Sequence, residues 1–239
     1  MAEGEAPSPY SGIFQGQDAV ARYRRKLATR IEVLRDRREV DILARWVSGE
    51  VFDCTIGVGR FIGRLGRVTR YSGMDLSAEF VAHVTAQHPE VVALQADLTK
   101  GIPQPDHTFD AVLCLRSLSA IGSLSAILAE MVRVARPSGV VVFDYGRTSK
   151  RWAKRGRGIV VDGEDLEAAL TGLDADVVAR IPVDALTTRL KASPRAARFL
   201  LGPRGRLIPD PLILAGERVL APLFWQRQVI VLRKRRRSA

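Results

Sequence analysis

The run Val51-Phe52-Asp53-Cys54-Thr55-Ile56-Gly57-Val58-Gly59-Arg60 constrains this chain more than any other. A short apolar strand ends on an acid, two glycines follow at a spacing of two, and a helix is expected from about Val58 to Gly66. Glycine is needed where backbone must approach a ligand with no Cβ in the way. A helix start behind such a turn presents free N–H groups to that ligand. The next apolar stretch, Tyr71-Ser72-Gly73-Met74, also ends on an acid, Asp75. An acid about 20 residues past a glycine turn is placed to accept hydrogen bonds from a ribose. The pattern predicts a nucleoside-cofactor site on an open α/β sheet.

The dinucleotide fingerprint G-x-G-x-x-G fits incompletely, because Gly57 and Gly59 are followed by Ile62 where the third glycine belongs. The stretch resembles motif I of the class I S-adenosylmethionine (SAM) methyltransferases, D-x-G-x-G-x-G. Asp53, Gly57 and Gly59 match it, and Thr55 stands where that family usually has its first glycine. Three later stretches carry the same resemblance in the same order. Val92-Ala93-Leu94-Gln95-Ala96-Asp97-Leu98 looks like the family's third strand. Phe109-Asp110-Ala111-Val112-Leu113-Cys114 looks like its fourth, with the F-D-x-V signature. Glu130-Met131-Val132-Arg133-Val134-Ala135-Arg136-Pro137-Ser138-Gly139 looks like its E-x-x-R-V-L-R-P-G-G helix end before strand five.

The resemblance spans roughly residues 40 to 146. It implies a single Rossmann-like doubly wound sheet of seven strands, the last antiparallel and inserted between strands five and six. It implies SAM as cofactor, with Asp53, Thr55, Gly57, Gly59, Asp75, Leu76, Asp97, Leu98 and Cys114 around it. Asp75 would take the ribose hydroxyls, and Asp97 with Leu98 the adenine. An N-terminal helical segment would lie over the cofactor, which makes Tyr23 and Arg38 conceivable partners of its carboxylate.

With 239 residues and 46% hydrophobic content, the chain suffices for one α/β domain with a decorated edge. There is no run of 18 apolar residues to span a membrane. The acidic, proline-containing start reads as a flexible tail over residues 1–17 rather than a signal peptide. Cys54 and Cys114 read as small buried thiols, and a cytoplasmic protein, with peripheral membrane association left open, is the expectation. The net charge is +11, with 31 arginines among 37 basic residues. Arginine pairs bidentately with phosphate and carboxylate, so anionic partners fit; biased composition accounts for the same excess.

Residues 18 to 48 read as one amphipathic helix with a solvated arginine face, Arg22 to Arg38. Ser77 reads as the N-cap of a helix through His88. His83 and His88 are five apart, off the helical spacing of a metal pair, so no metal is proposed. A near-continuous apolar run over 109 to 115 delivers Arg116 and Ser117 to the active edge, and strand five, 140 to 145, delivers Asp144 and Tyr145. Helices are expected over 123–135, closed by Arg136 to Gly139, and over 162–172, and strands over 177–181 and 228–232. The loop 146 to 158, with six basic residues and Trp152, could clamp phosphate and stack a ring. About 40 residues, 184–225, separate the last two strands. They read as two helices forming a hydrophobic and basic cap or a membrane-facing pair, with a packed hairpin or dimer contact as the plainer reading. Residues 233–239 read as a solvated basic tail.

Taken with the resemblance, these features imply SAM-dependent methyl transfer to an oxygen, nitrogen or carbon nucleophile of a small or lipid-like, or anionic, acceptor. Arg116, Ser117, Arg147 and Trp152 are the substrate candidates, and Asp144 and Tyr145 the candidate bases. The competing readings are an RNA methyltransferase and a non-catalytic binding subunit of the same fold.

Overall fold

In a computed structural model, residue 16 and residues 18–118, 123–146, 163–185, 209–224 and 227–236 are described. The expected loop residues Arg147 and Trp152, most of the tail 1–17, residues 186–208 of the cap and residues 237–239 lie outside them.

Helices α1 (Ala19–Leu27) and α2 (Arg30–Trp46) lead into β1 (Gly49–Asp53), β2 (Val68–Asp75), α3 (Ala78–Gln87), β3 (Val92–Gln95) and β4 (Phe109–Cys114). Then follow α4 (Leu124–Val134), β5 (Ala135–Gly146), α5 (Gly163–Thr171), β6 (Ala175–Val183), α6 (Asp210–Phe224) and β7 (Arg227–Lys234). The seven-stranded sheet runs β3-β2-β1-β4-β5-β7-β6. β1 to β5 pair in parallel, and β7 is antiparallel to both β5 and β6, as the resemblance implies.

Side chains alternate across each strand, so the sheet buries both faces. Phe52, Met74, Val112, Val141, Phe143 and Ile230 pack with α4 and α5 on one side. Val51, Leu113, Val142 and Val231 pack with α2 and α3 on the other. Each such side chain contributes roughly 1.5–3 kcal/mol of burial. The strand ends converge on one carboxyl edge, which positions the candidate site.

Four sequence expectations change. The N-terminal helix is two helices, because Thr29 adopts extended backbone (φ −67, ψ 142) and its hydroxyl turns back to the Lys26 carbonyl. No α-helix follows the glycine turn. Gly57, Gly59 and Gly63 sit at φ 54, 74 and 70, and the segment proceeds by separate turns such as Gly59 N to Ile56 O (2.9 Å) and Ile62 N to Gly59 O (3.1 Å). Left-handed residues at that spacing cannot propagate the helical ladder. Arg136 to Gly139 lies within β5 as an irregularity with Ser138 at φ 67. A Cβ on Gly139 would come within 2.9 Å of the Arg136 carbonyl. Finally, β7 runs through Lys234, whose buried Nζ donates to the carbonyls of Val132 (2.7 Å) and Ala135 (2.8 Å) at the end of α4. Arg235 pairs with Asp176 and Arg236 bonds the Ser138 hydroxyl, so residues 233–236 are not a free basic tail.

Candidate active site

Two strands end on an aspartate and a third aspartate lies two residues past β3, and each folds back on its own chain. Asp53 accepts from Thr55 N (3.1 Å), Asp75 from Ser77 N (3.0 Å) and Asp97 from Thr99 N (2.9 Å). Each closes an Asx-type turn, a local arrangement that sharply redirects the chain at the sheet's edge. The other Asp75 oxygen accepts from Gly57 N at 2.9 Å, tying the glycine turn to β2. The other Asp53 oxygen accepts from the Tyr71 hydroxyl at 2.8 Å. Burial pushes the Asp53 carboxyl up to about 6, against the Thr55 N–H and the Tyr71 hydroxyl. Burial also raises Asp75, opposed by the N–H groups of Ser77 and Gly57.

Position 55 does not need glycine. Thr55 is absent from the positive-φ positions, and its hydroxyl accepts from Ser117 Oγ at 3.0 Å and lies 3.9 Å from Cys114 Sγ. It therefore joins the β1 turn to the end of β4. Gly57 does need its freedom, and a Cβ there would meet nothing nearer than 3.9 Å, at Tyr23 and at the Thr55 carbonyl. That leaves open space over the turn through which a ligand can approach backbone. Leu76, 46% exposed, borders Asp75, whereas Leu98 is buried behind Asp97. A recess of about 230 Å³ opens beside Asp97, lined by Lys100, Ile102 and Glu130. Arg133 fixes its rim by donating to Glu130 and to the carbonyls of Ile102 (2.8 Å) and Gln104 (2.9 Å), which gives the E-x-x-R motif a structural use.

The far half of the edge is built differently. Arg116, at φ 66 just past β4, donates Nε to Glu39 (2.9 Å) and Nη1 to Glu32 (2.9 Å), while its Nη2 is buried with no hydrogen-bond partner among the described residues. Asp144 accepts from Arg116 N (2.7 Å) and from Arg227. Arg227 also holds Glu39 and, through Nε at 2.9 Å, Asp184, which Arg35 grips from the other side. Burial alone would raise the Glu39 carboxyl, but Arg116, Arg227 and Arg60 together hold it well below the usual carboxylate range. Arg227 and Arg35 likewise outweigh burial at Asp184 and lower it. Asp144 and Arg116 thus belong to a buried ion-pair network rather than facing an acceptor freely. Tyr145 is buried in β5 opposite Gln228.

Part of the expected solvated arginine face is engaged as well: Arg35 with Asp184, and Arg30 and Arg37 with Asp210 at the start of α6. Arg38 lies among the charges of Arg218 and Glu217 on α6 and of Arg45 and Asp41 on α2. Tyr23 does reach the turn and packs against Phe80 with ring centroids 5.5 Å apart. Among the described residues no His, Cys, Asp and Glu cluster could hold a metal.

Sequence reasoning missed Glu32 and Glu39, Arg227 and Gly73. The two glutamates carried a signal, since they lie seven residues apart on the stripe of α2 that also buries Ile42 and Leu43. Gly73 carried one too, as a glycine inside a strand. A Cβ there would come within 2.5 Å of the Asp53 carbonyl. Nothing local marks Arg227.

Residues 52–143 match a family described as a methyltransferase domain. A malonyl-[acyl-carrier protein] O-methyltransferase of Pectobacterium atrosepticum is 31% identical over 99 residues, covering 39% of this chain and 37% of that protein. A fatty-acid O-methyltransferase of Mycolicibacterium smegmatis is 29% identical over 93 residues, covering 38% and 34%. The match thus spans about a third of the length of these curated relatives. Among solved structures, magnesium protoporphyrin IX methyltransferase of Synechocystis PCC 6803, with bound SAH, superimposes at a TM-score of 0.63 and 14% identity, covering 93% of this chain and 96% of that one. At that identity the likeness speaks to fold alone. Sheet order and the acids at the sheet edge agree with the fold of the class I SAM-dependent methyltransferases, and the segment 52–143 matches the methyltransferase-domain family.

Proposed function

We propose that the chain transfers a methyl group from SAM to a lipid-like acceptor, with a carboxylate oxygen as the favoured nucleophile. The observation that carries the cofactor half is the open space over Gly57 beside Asp75 and the exposed Leu76. The residues present fit SAM. Gly57 lets backbone approach it, whereas the space a Cβ on Gly59 would take is filled by Ile62, and Asp75 retains acceptor capacity for ribose hydroxyls beyond its backbone bonds. Asp97 borders the adenine with Leu98 buried behind it, and Thr55, Cys114 and Ser117 form the wall at the end of β4. Bound SAM supplies an electrophilic sulfonium methyl group, and the protein's part is chiefly alignment.

The acceptor half rests on two supports. Both curated relatives are named as O-methyltransferases, one of a fatty acid and one of malonyl-[acyl-carrier protein]. A carboxylate also arrives already deprotonated and needs no general base. That agrees with Asp144 being held by Arg227 and by the Arg116 N–H.

Calorimetric titration with SAM tests the first half. The expected outcome is micromolar binding, weakened at least about tenfold in Asp75→Ala. Transfer from radiolabelled SAM tests the second, with free fatty acids and malonyl-[acyl-carrier protein], which keeps a free carboxylate, as acceptors and RNA as comparison. Label in RNA but not in acyl acceptors overturns the acceptor assignment. Binding without transfer to any acceptor points to a non-catalytic member, and no SAM binding overturns the whole reading.

A further inference from the structure

We infer that the outer face of α6, with the arginine groove next to it, docks on an anionic phospholipid surface. The inference does not rest on methyl transfer, although the groove is also lined by Val58 of the glycine turn.

Helix α6 carries apolar side chains on two faces, one buried around an inward glutamate and one exposed. Its 15 residues carry three charges, Asp210, Glu217 and Arg218. Asp210 is held by Arg30 (2.8 Å) and Arg37 (3.1 Å) of α2. Glu217 is 3% exposed, and its carboxylate accepts from Ala185 N at 2.6 Å. Ile213, Glu217 and Ala221, four residues apart, form the buried stripe. Leu212, Val219 and Leu223, at i, i+7 and i+11, form a second stripe pointing out, at 62%, 71% and 72% exposure. Arg218 lies on a different side of the helix, paired with Asp41 of α2 at 3.1 Å. Surface helices ordinarily place charge outward and apolar residues inward. Aligned exposed apolar side chains mark a site of contact.

A basic cavity lies near the start of this helix, linked to it through Arg37 and Asp210. Arg37, which holds the first residue of α6, also lines a groove of about 590 Å³ together with Arg24, Arg25, Arg60 and Arg64. Arg60 and Arg64 pair with Asp36. Arg24 and Arg25 are exposed and make no ion pair among the described residues. Guanidinium groups bind phosphate bidentately. Arginines beside an outward apolar stripe fit a bilayer, with lipid phosphates at the groove and the stripe entering the acyl boundary. A second copy is the weaker occupant. Its surface would bring the same arginines and a net charge of +11, and three side chains fall short of the roughly 800 Å² per partner of a stable interface. Among the described residues no helix is long and apolar enough to cross a membrane, so the contact is peripheral.

Vesicle flotation of the full chain without SAM tests this, using phosphatidylcholine alone and phosphatidylcholine mixed with phosphatidylglycerol. Binding is expected only to the anionic vesicles. The triple substitution Leu212→Ser, Val219→Ser, Leu223→Ser should weaken it at least about tenfold. Arg24→Gln with Arg25→Gln should weaken it roughly fivefold per arginine at low salt. Circular dichroism melting checks that both variants fold. No flotation overturns the inference, as does equal flotation of wild type and both variants, which would reduce binding to net charge. Sedimentation velocity showing a dimer that the triple variant abolishes overturns it in favour of self-association. A large loss of melting temperature in the triple variant with unchanged flotation overturns it in favour of a stripe covered by the chain itself.

Discussion

The two halves of the carboxyl edge hold their acids in opposite ways. At β1, β2 and β3, Asp53, Asp75 and Asp97 accept from N–H groups two residues further along. At β5 and just past β6, Asp144 and Asp184 are held by Arg227, more than 40 residues away in sequence. The first kind of contact is local and leaves lone pairs for a small ligand. The second brings several strands and helix α2 to one point and leaves little free. A cofactor shared across a superfamily can be served by local turns. An edge that must also anchor an added helix and a late strand needs long-range charge pairing.

Breaking the second half should have the largest effect. Arg227→Met would leave Glu39, Asp144 and Asp184 buried beside one another with a cation removed. Unpairing buried charges of this kind costs about 3–5 kcal/mol. Urea denaturation should show that loss, and a loss under about 1 kcal/mol would mean the network is wet and weak.

A smaller effect sharpens the first half. Asp53 ionises near 6 in the folded chain against an ordinary 3.8. Between those values the folded state binds more protons than the unfolded, so this group's contribution to stability falls as pH rises. Two pH units correspond to at most about 3 kcal/mol. Glu39 and Asp184, shifted downward, contribute in the opposite sense, with stability lost as pH falls. The test is therefore the difference between wild type and Asp53→Asn in melts from pH 4 to 7, with values flanking the shift. The variant should gain relative to wild type as pH rises, and a flat difference would place Asp53 in a wetter setting.

Thr55→Gly should have the smallest effect. It removes one hydroxyl contact to Ser117 and adds glycine's unfolded-state entropy, together under about 2 kcal/mol. A double-mutant cycle with Ser117→Ala should show coupling below about 1 kcal/mol. Strong coupling would mean that the β1–β4 link, rather than the Asx turns, sets the shape of the cofactor edge.

The first half was readable because its logic is short-range. A strand ending on Asp with a polar residue two on, and glycines where φ must be positive, leave marks within a few letters. The order of the strands followed from the same stretches through the family resemblance. The helix expected after Gly59 failed because Gly63 adds another left-handed residue to the segment, which a hydrophobic pattern does not report. Arg116 and Asp144 were placed at the correct edge, yet their engagement could not be seen. Their partners lie on α2 and at the start of β7, and sequence distance carries no information about such pairing.

By itself, then, the sequence determined the parallel α/β order, the glycine turn with its three acids, the buried cysteines and the excess of arginine. Only the tertiary structure decided which arginines are spent on buried acids and which stay exposed. It alone turned Glu217 of α6 inward and left Leu212, Val219 and Leu223 outside. The physical reason is range. Turn geometry and strand alternation are set by neighbours along the chain, whereas burial of a charge is decided by whichever opposite charge the fold brings to it.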